Sequence, residues 1–155
     1  MNEYALYHKP DTQYSYAKSE NVISVRLRTA KEDNLTVYVI YGGKYTYAQK
    51  RFKKGLSLRY TDRLYNYYAV DLQLEDKRLV YVFEIHEKTK TYYFSEDGLS
   101  EEYDFTLNFY NAFQVAYINS TDIHREVYWI KQACFYQIFI DRFKCGNEKK
   151  DKSYI

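Results

Sequence analysis

Two tyrosines, Tyr45 and Tyr47, have the residue type and the position that suggest contact with a ligand. They lie in a polar, basic stretch after Gly42-Gly43, where no hydrophobic pattern requires an aromatic side chain. Aromatic rings offer a large, rigid contact area, and a tyrosine adds a hydroxyl group for hydrogen bonding. The glycine pair loosens the loop that carries them. The alternative, in which both rings fold back onto the body of the protein, is equally compatible with the sequence.

Few other residues have the spacing of a catalytic or metal-binding site. Cys134 and Cys145 have no CxxC partner, and the three histidines are scattered, which argues against a zinc site and a disulfide framework. Asp141 follows an apolar run, and we interpret it as pairing with Arg142 or capping the next turn rather than as a catalytic carboxylate. We therefore predict no catalytic residue in this chain.

The charge balance excludes several classes of partner. The chain has 23 Lys and Arg against 21 Asp and Glu, a net charge of +2, whereas a domain that neutralises many phosphates shows a dense basic stripe. No apolar run approaches the length that spans a membrane, and the first residues do not resemble a signal peptide. Because both thiols are predicted to be free, we expect a cytoplasmic protein. The balanced charge and the lack of a long apolar run predict that it binds neither nucleic acid nor membrane.

An all-β framework is predicted to position these residues. Tyr, a strand-forming residue, occurs 21 times, and short strands are predicted at spacings near ten residues, at 22–29, 35–41, 56–60, 64–72, 78–85 and 91–95. Residues 44–55 are predicted to form a long loop, and one more strand is predicted within 101–119. This pattern is typical of an antiparallel sandwich. Tyr67 and Tyr68 must point to opposite faces of their strand, and Arg78 is expected to anchor a strand end.

The segment at 134–140 has a different pattern. It is an almost continuous apolar run, rich in aromatic and branched residues, as in a strand that is buried on both faces. We therefore predict a sandwich over 1–122, followed by a linker and the start of a second domain over 123–155. A strand without neighbours has free edges, so we predict that this segment pairs with a neighbouring chain, adds to the edge of the sandwich or packs against its face.

The last segment and the N-terminal part resemble one enzyme family. Trp129 followed by Phe135-Tyr-Gln-Ile-Phe-Ile-Asp-Arg-Phe143 resembles the first barrel strand of the α-amylase superfamily, glycoside hydrolase family 13. The preceding part is similar to the extra domain of the neopullulanase, cyclomaltodextrinase and maltogenic amylase branch. The matching residues follow one another in the same order and spacing at 5–10, 14–16, 26–29, 41–42, 64–68, 78–83, 117–119 and 122.

This resemblance implies an immunoglobulin-like β-sandwich of carbohydrate-binding module family 34, followed by one strand of a truncated (β/α)8 barrel. It implies the N-terminal part of an enzyme that cleaves α-glucosidic bonds in starch-derived oligosaccharides, cyclodextrins or pullulan. Retaining glycosidases need two carboxylates about 5 Å apart. The family carries them on later barrel strands, so the chain itself is expected to be non-catalytic.

The resemblance also implies partners. The implied ligand is an α-glucan or a cyclodextrin, and the implied full-length enzyme is a homodimer in which loop aromatics reach the partner's active-site cleft. Tyr45 and Tyr47 lie in the matching loop, so we predict that they contact substrate. This sequence departs from the family there, because Tyr47 replaces a usual Trp and Gly43-Lys44 replaces a usual Asp-Pro.

Relatives often bind calcium in the loop after the barrel strand, through oxygen ligands that suit a hard cation. Here only Asn147 and Asp151 supply matching ligands, while Cys145 and Lys150 lie where oxygen donors are expected. Ile140 also replaces the usual proline. We therefore expect no cofactor in this chain, with Asn147 and Asp151 as the residues that would bind calcium in the full-length enzyme.

Two other functions remain open. One is a stand-alone β-sandwich interaction module without a sugar ligand, in which the last apolar strand completes its own sheet; deletion of residues 129–155 would then unfold it. The other is single-stranded nucleic-acid binding on tyrosine platforms with interspersed Lys and Arg. The nearly balanced charge argues against this second function.

Overall fold

The computed structural model describes residues 1–107, 109–123, 125, 127–139 and 142–143, with only the backbone of Leu107. The chain divides into two compact units, Met1–Arg125 and Glu126–Ile155. The sequence-based boundary lies after residue 122. The first unit holds all the strands that the structure describes, and we call it the sandwich unit.

The sandwich unit is built from short strands. They are β1 (Ser15–Ser19), β2 (Val22–Ala30), β3 (Thr36–Gly43), β4 (Phe52–Gly55), β5 (Ser57–Thr61), β6 (Tyr65–Gln73), β7 (Leu79–Glu87), β8 (Lys90–Ser95), β9 (Gly98–Ser100) and β10 (Phe113–Val115). Three short 3-10 helices lie at Glu3–Ala5, Thr12–Tyr14 and Phe105–Leu107. The six strands predicted from alternation are confirmed, with bounds shifted by one or two residues.

The strands form two antiparallel sheets. One has the order β1-β2-β6-β5, and the other has the order β4-β3-β7-β8-β9, with β10 pairing β7 beside β8. The chain passes from the second sheet to the first at Leu56, between β4 and β5, where the amide of Leu56 donates to the carbonyl of Val37. The prediction of an antiparallel β-sandwich is therefore confirmed.

The core lies between the two sheets. Alternate residues of β2 point inward, so that Ile23, Val25 and Leu27 are fully buried. They pack in one cluster with inward residues of the other strands, including Val37, Val39, Leu72, Leu79, Tyr81, Phe83 and Ile85. Burying one such aliphatic side chain contributes roughly 1.5–3 kcal/mol, so this cluster is the main source of stability of the unit.

The central strand β7 is buried on both faces. Its seven residues from Leu79 to Ile85 are all buried. The odd-numbered ones face the other sheet, Val80 and Val82 face a second, smaller cluster, and Glu84 pairs with Lys53 at 2.6 Å. In that second cluster Val80 and Val82 pack with residues of β3 and of two loops, namely Ile40, Tyr47 and Ala112, and with the partly buried rings of Tyr93, Tyr103, Phe105 and Phe109. The loops therefore cover the outer face of this sheet.

Several local predictions are wrong. The loop predicted over 44–55 ends in a strand, since Phe52–Gly55 pairs with β3 as β4. All four of its residues are exposed, so no apolar alternation marks it. Strands β1 and β9 carry no strong pattern and were not predicted. By contrast, the strand predicted within 101–119 is confirmed as the short strand β10, which follows the 3-10 helix Phe105–Leu107.

The second unit contains a 3-10 helix, Tyr128–Gln132, and no strand over the described residues 133–139. The strand predicted at 134–140 is therefore wrong over its described part. Its apolar side chains are exposed, with Phe135 at 70% and Phe139 at 59%. Within the described part of the chain, no helix has the length and apolar character needed to cross a membrane.

Candidate functional site

The candidate site is a groove in the sandwich unit, between the β3–β4 and β6–β7 connections. Its volume is about 150 Å³. The first connection and its flanking strands contribute Tyr41, Gly42, Gly43, Tyr45, Thr46, Lys50 and Phe52; the second contributes Gln73, Leu74, Glu75, Asp76 and Arg78. The groove combines aromatic rings with carboxylate and cationic groups, which is the composition of a site for a ligand with apolar faces and polar edges.

Two rings from neighbouring strands form an aromatic wall of the groove. Tyr41 on β3 and Phe52 on β4 are directly paired in the sheet, so their side chains lie on the same face. The ring centroids are 5.5 Å apart and the planes are inclined by 36°. The Nζ of Lys50 lies 5.1 Å from the centroid of the Phe52 ring. This wall offers an apolar surface of two inclined rings, with the ammonium of Lys50 over the Phe52 ring.

Charged pairs form the polar rim. Lys50 Nζ lies 2.7 Å from both carboxylate oxygens of Glu75, which joins the two connections across the groove. Arg78 donates to Asp76 at 3.4 Å. These pairs are exposed, and exposed pairs contribute little to stability. Their donors and acceptors are thus available to the hydroxyl groups of a ligand.

Tyr45 lies at the edge of the groove and is 69% exposed. The guanidinium of Arg78 lies 5.8 Å from the centroid of its ring and 5.0 Å from that of Tyr117. Arg78, which was expected to anchor a strand end, directly precedes β7 and also lines the groove. Its flat guanidinium between two tyrosines adds a donor surface beside the exposed ring of Tyr45.

Tyr47 has the opposite placement, and the prediction that it contacts substrate is corrected here. Its side chain has no exposed surface and packs on the outer face of the β3–β7 sheet. Its hydroxyl donates to the carbonyl of Ile40 at 3.5 Å, and burial raises the pKa of this hydroxyl. A ring with no accessible surface cannot contact a ligand, so Tyr47 is an anchor of the loop that presents Tyr45.

Further contacts fix the same loop. Arg51 donates to the carbonyls of Tyr47 and Ala48 at 2.8 and 2.7 Å. Its guanidinium lies 4.9 Å from the centroid of the Phe105 ring. At Gly42 an added Cβ would lie 2.7 Å from the carbonyl oxygen of Lys50. Glycine is therefore the residue that fits where the end of the loop approaches strand β3. The loop is therefore closely packed despite its two glycines.

The other predicted residues lie elsewhere. Tyr67 and Tyr68 point to opposite faces as predicted: Tyr68 packs against the main core, while the hydroxyl of Tyr67 donates to Asp62 at 2.9 Å. Asp141 and the predicted calcium ligands, Asn147 and Asp151, lie outside the described residues. Among the described residues no group of three or more His, Cys, Asp or Glu is placed to hold a metal ion.

Sequence reasoning did not identify most of the groove. The residues from 73 to 78 belong to a turn that the sequence showed as polar, and nothing in their pattern distinguishes a groove from a solvated turn. Tyr41 and Phe52 carried a weaker signal. Phe52 is an aromatic residue within a basic stretch, as are Tyr45 and Tyr47, and its cross-strand neighbour is found only once β4 is known.

Comparison with known proteins gives the family. The family described as "Alpha amylase, N-terminal ig-like domain" matches residues 1–119. The maltogenic alpha-amylase of Bacillus acidopullulyticus is 32% identical over 155 residues, which covers 95% of this chain and 25% of that protein. Neopullulanase 2 of Thermoactinomyces vulgaris is 31% identical over 149 residues, which covers 95% of this chain and 25% of that protein.

A solved structure shows the same arrangement. A cyclomaltodextrinase, 29% identical in sequence, superimposes with a TM-score of 0.77 over 97% of this chain and 26% of that chain. The chain thus spans about a quarter of the length of the relatives that it matches. Sequence, topology and structural similarity agree, and the chain belongs to the family of alpha amylase N-terminal immunoglobulin-like domains.

Proposed function

We propose that this chain is the α-glucan-contacting N-terminal domain of an enzyme that cleaves α-glucosidic bonds in starch-derived oligosaccharides, cyclodextrins or pullulan. The observation that carries the proposal is the groove, in which the paired rings of Tyr41 and Phe52 lie beside an exposed Tyr45. The names of the relatives, maltogenic alpha-amylase, neopullulanase and cyclomaltodextrinase, support the choice of ligand class.

The chemistry of a glucosyl unit suits this groove. Its ring has apolar C–H faces that stack on aromatic side chains, and its hydroxyl groups project at the edge. The aromatic wall would take a face of the ring, while Glu75, Asp76 and Arg78 would exchange hydrogen bonds with the hydroxyls. Because the groove holds two carboxylates and two cations, it favours a neutral ligand over a polyanion.

The proposal includes a role for Tyr45 in the whole protein. Its ring is exposed on a loop that Tyr47 and Arg51 fix to the sandwich, which supports presentation of the ring to a bound α-glucan or to a partner subunit. In this proposal the full-length protein is a homodimer and Tyr45 contacts substrate bound at the partner. Tyr45→Ala in the full-length protein should then lower kcat/KM for β-cyclodextrin more than for maltotriose.

The direct test is calorimetric titration of the 155-residue chain with maltoheptaose and with β-cyclodextrin. We expect binding that Tyr45→Ala weakens roughly tenfold, equivalent to about 1.4 kcal/mol, because one aromatic contact is lost. Tyr110→Ala is the matched control, since Tyr110 is 82% exposed and does not line the groove. Absence of binding by the unmodified chain at millimolar sugar would overturn the proposal, as would equal effects of the two substitutions.

A further inference from the structure

A second aromatic surface lies on the outer face of the β1-β2-β6-β5 sheet. Four residues form a row across it, and we call them the tyrosine–arginine row: Tyr7, Arg28, Tyr67 and Tyr60. Each is paired in register with the next, since Tyr7 bridges Arg28, Arg28 pairs with Tyr67, and Tyr67 pairs with Tyr60. Directly paired residues carry their side chains on the same face, so the four side chains share one surface.

Stacked contacts hold the first half of the row in place. The guanidinium carbon of Arg28 lies 4.9 Å from the ring centroid of Tyr7 and 4.2 Å from that of Tyr65. The Nε of Arg28 donates to the carbonyl of Ala5 at 3.2 Å. Tyr14, which is buried, supports the ring of Tyr7 edge-on at 4.9 Å. Tyr7 remains 40% exposed, so this half is both fixed and accessible.

The second half of the row is held by a carboxylate. The rings of Tyr60 and Tyr67 are 5.7 Å apart, with planes inclined by 36°. The Oδ2 of Asp62 accepts from the hydroxyl of Tyr67 at 2.9 Å, while Oδ1 accepts from the amides of Leu64 and Tyr65 at 2.8 and 2.7 Å. Burial and Asp62 together raise the pKa of Tyr67 to about 12. Tyr60 is 63% exposed at the edge of the sheet.

The geometry of the row suits an extended ligand. Neighbouring strands lie about 4.8 Å apart, and the contacts within the row are of similar length, at 4.9 Å between the Arg28 guanidinium and the Tyr7 ring and 5.7 Å between the Tyr60 and Tyr67 rings. Rigid aromatic rings give contact area at a low cost in conformational entropy. A chain-like ligand that lies along the row would contact the exposed rings of Tyr7 and Tyr60 near its two ends.

The charges of the row favour a neutral ligand. Arg28 is the cation of the row, and Asp62 lies beside it as a fixed anion. A single-stranded nucleic acid would stack on the rings but would bring phosphates towards Asp62, and such ligands bind where a basic groove follows their backbone. A polyhydroxyl chain has no such conflict, because it can donate to Asp62 and accept from Arg28.

We propose that the tyrosine–arginine row is a second α-glucan-binding surface, separate from the groove. The choice of ligand class rests on the proposed function of the groove, whereas the existence of the surface rests on the row alone. The groove is formed by the β3–β4 and β6–β7 connections, and the row lies on the outer face of the other sheet. Two separate sites would let the domain hold a long α-glucan chain more tightly than a short one.

The test maps both sites in one titration. Amide signals of the isotope-labelled 155-residue chain would be followed by NMR while maltoheptaose is added. We expect two separate groups of shifted amides, one at 58–67 with Tyr7 and Arg28, and one at 41–46 with 73–78. Tyr60→Ala combined with Tyr7→Ala should abolish the first group and weaken retention in amylopectin gels roughly tenfold. Tyr110→Ala should change neither, and unshifted signals of the core amides show that the variants remain folded.

The outcomes separate the two proposals. Shifts confined to the groove would overturn the row and leave the proposed function standing. Shifts confined to the row would support the row and overturn the groove. Absence of any shift with maltoheptaose, or saturable shifts of the row amides with single-stranded oligothymidylate alone, would overturn the row as an α-glucan surface.

Discussion

The buried imidazole of His8 gives a prediction of how stability depends on pH. His8 is 7% exposed and contacts the rings of Tyr81, Phe83 and Phe113 at centroid distances of 4.6–5.4 Å. Its Nδ1 lies 2.6 Å from the carbonyl oxygen of Arg26, and its Nε2 lies 2.7 Å from the hydroxyl of Tyr81. A carbonyl only accepts, so Nδ1 carries the proton and Nε2 accepts from Tyr81.

The free energy involved follows from the shift in pKa. Burial lowers the pKa of His8 from 6.5 to about 4. A group whose pKa is lower in the folded state than in the unfolded state does not reduce stability above its unfolded pKa. As the pH falls from the unfolded pKa towards the folded pKa, the unfolded state takes up the proton first, and the free energy of unfolding decreases. At 1.36 kcal/mol for each pH unit, the loss between pH 6.5 and pH 4 reaches about 3 kcal/mol, of which about 2 kcal/mol has gone by pH 5. The carboxylates with lowered pKa values add their own losses mainly below that pH.

His8→Gln tests this reasoning, because glutamine can hydrogen-bond at the position of Nε2 but takes up no proton. We expect His8→Gln to be less stable than the unmodified chain at pH 7.5 by about 1–3 kcal/mol, through imperfect hydrogen bonding in a buried site. Between pH 7.5 and pH 5 it should lose about 2 kcal/mol less than the unmodified chain does. Urea unfolding followed by circular dichroism measures both, and His86→Gln, which removes a partly exposed imidazole, is the control. Parallel pH profiles for His8→Gln and the unmodified chain would refute the reasoning.

Two further pairs of substitutions test the loop that carries Tyr45. Tyr47→Ala should destabilise the sandwich unit by about 3–5 kcal/mol because a fully buried ring is removed, whereas Tyr45→Ala should change the free energy of unfolding by less than about 0.5 kcal/mol; equal effects in urea unfolding would contradict the assignment of Tyr47 as the anchor. Gly42→Ala should cost about 1–3 kcal/mol, since its Cβ would lie 2.7 Å from the carbonyl oxygen of Lys50. Gly55→Ala, whose Cβ would meet only the Tyr38 ring at 3.7 Å, should change stability by less than about 1 kcal/mol. Equally small losses of thermal stability in the two variants would contradict a closely packed loop.

The sheet strands with one buried face were predictable because alternation of apolar residues is the direct consequence of that burial. Strand β2 shows this pattern, with Ile23, Val25 and Leu27 inside. The edge strand β4 was not predictable in this way. Its four residues are exposed, and it is held by backbone hydrogen bonds to β3, which leave no trace in the side-chain pattern.

A continuous apolar run was ambiguous for a different reason. The segment at 79–85 is buried on both faces in the structure, and the run at 134–140 has the sequence pattern that is typical of such a strand. The first became β7, because β3 pairs with it on one side and β8 and β10 on the other, while loops cover its outer face. The second forms no strand over its described residues. The pattern therefore indicates what a segment can bury, and the presence of neighbours decides whether it becomes a strand.

The candidate site depends on such neighbours even more strongly. Tyr45 and Tyr47 are two residues apart, and the sequence assigns both to one polar loop with the same role. Their separation in the structure is caused by residues remote in the chain: Val80, Val82 and Phe105 provide an apolar face that takes Tyr47, while Arg78 lies beside Tyr45 at the groove. No local pattern contains this information.

The buried ring of Tyr47 gives the loop its fixed position, and a fixed loop allows the exposed ring of Tyr45 to contribute to binding without a large loss of conformational entropy. Substituting both tyrosines at once would therefore mix a loss of structure with a loss of contact, and the contribution of Tyr45 to sugar binding has to be measured with Tyr47 left in place.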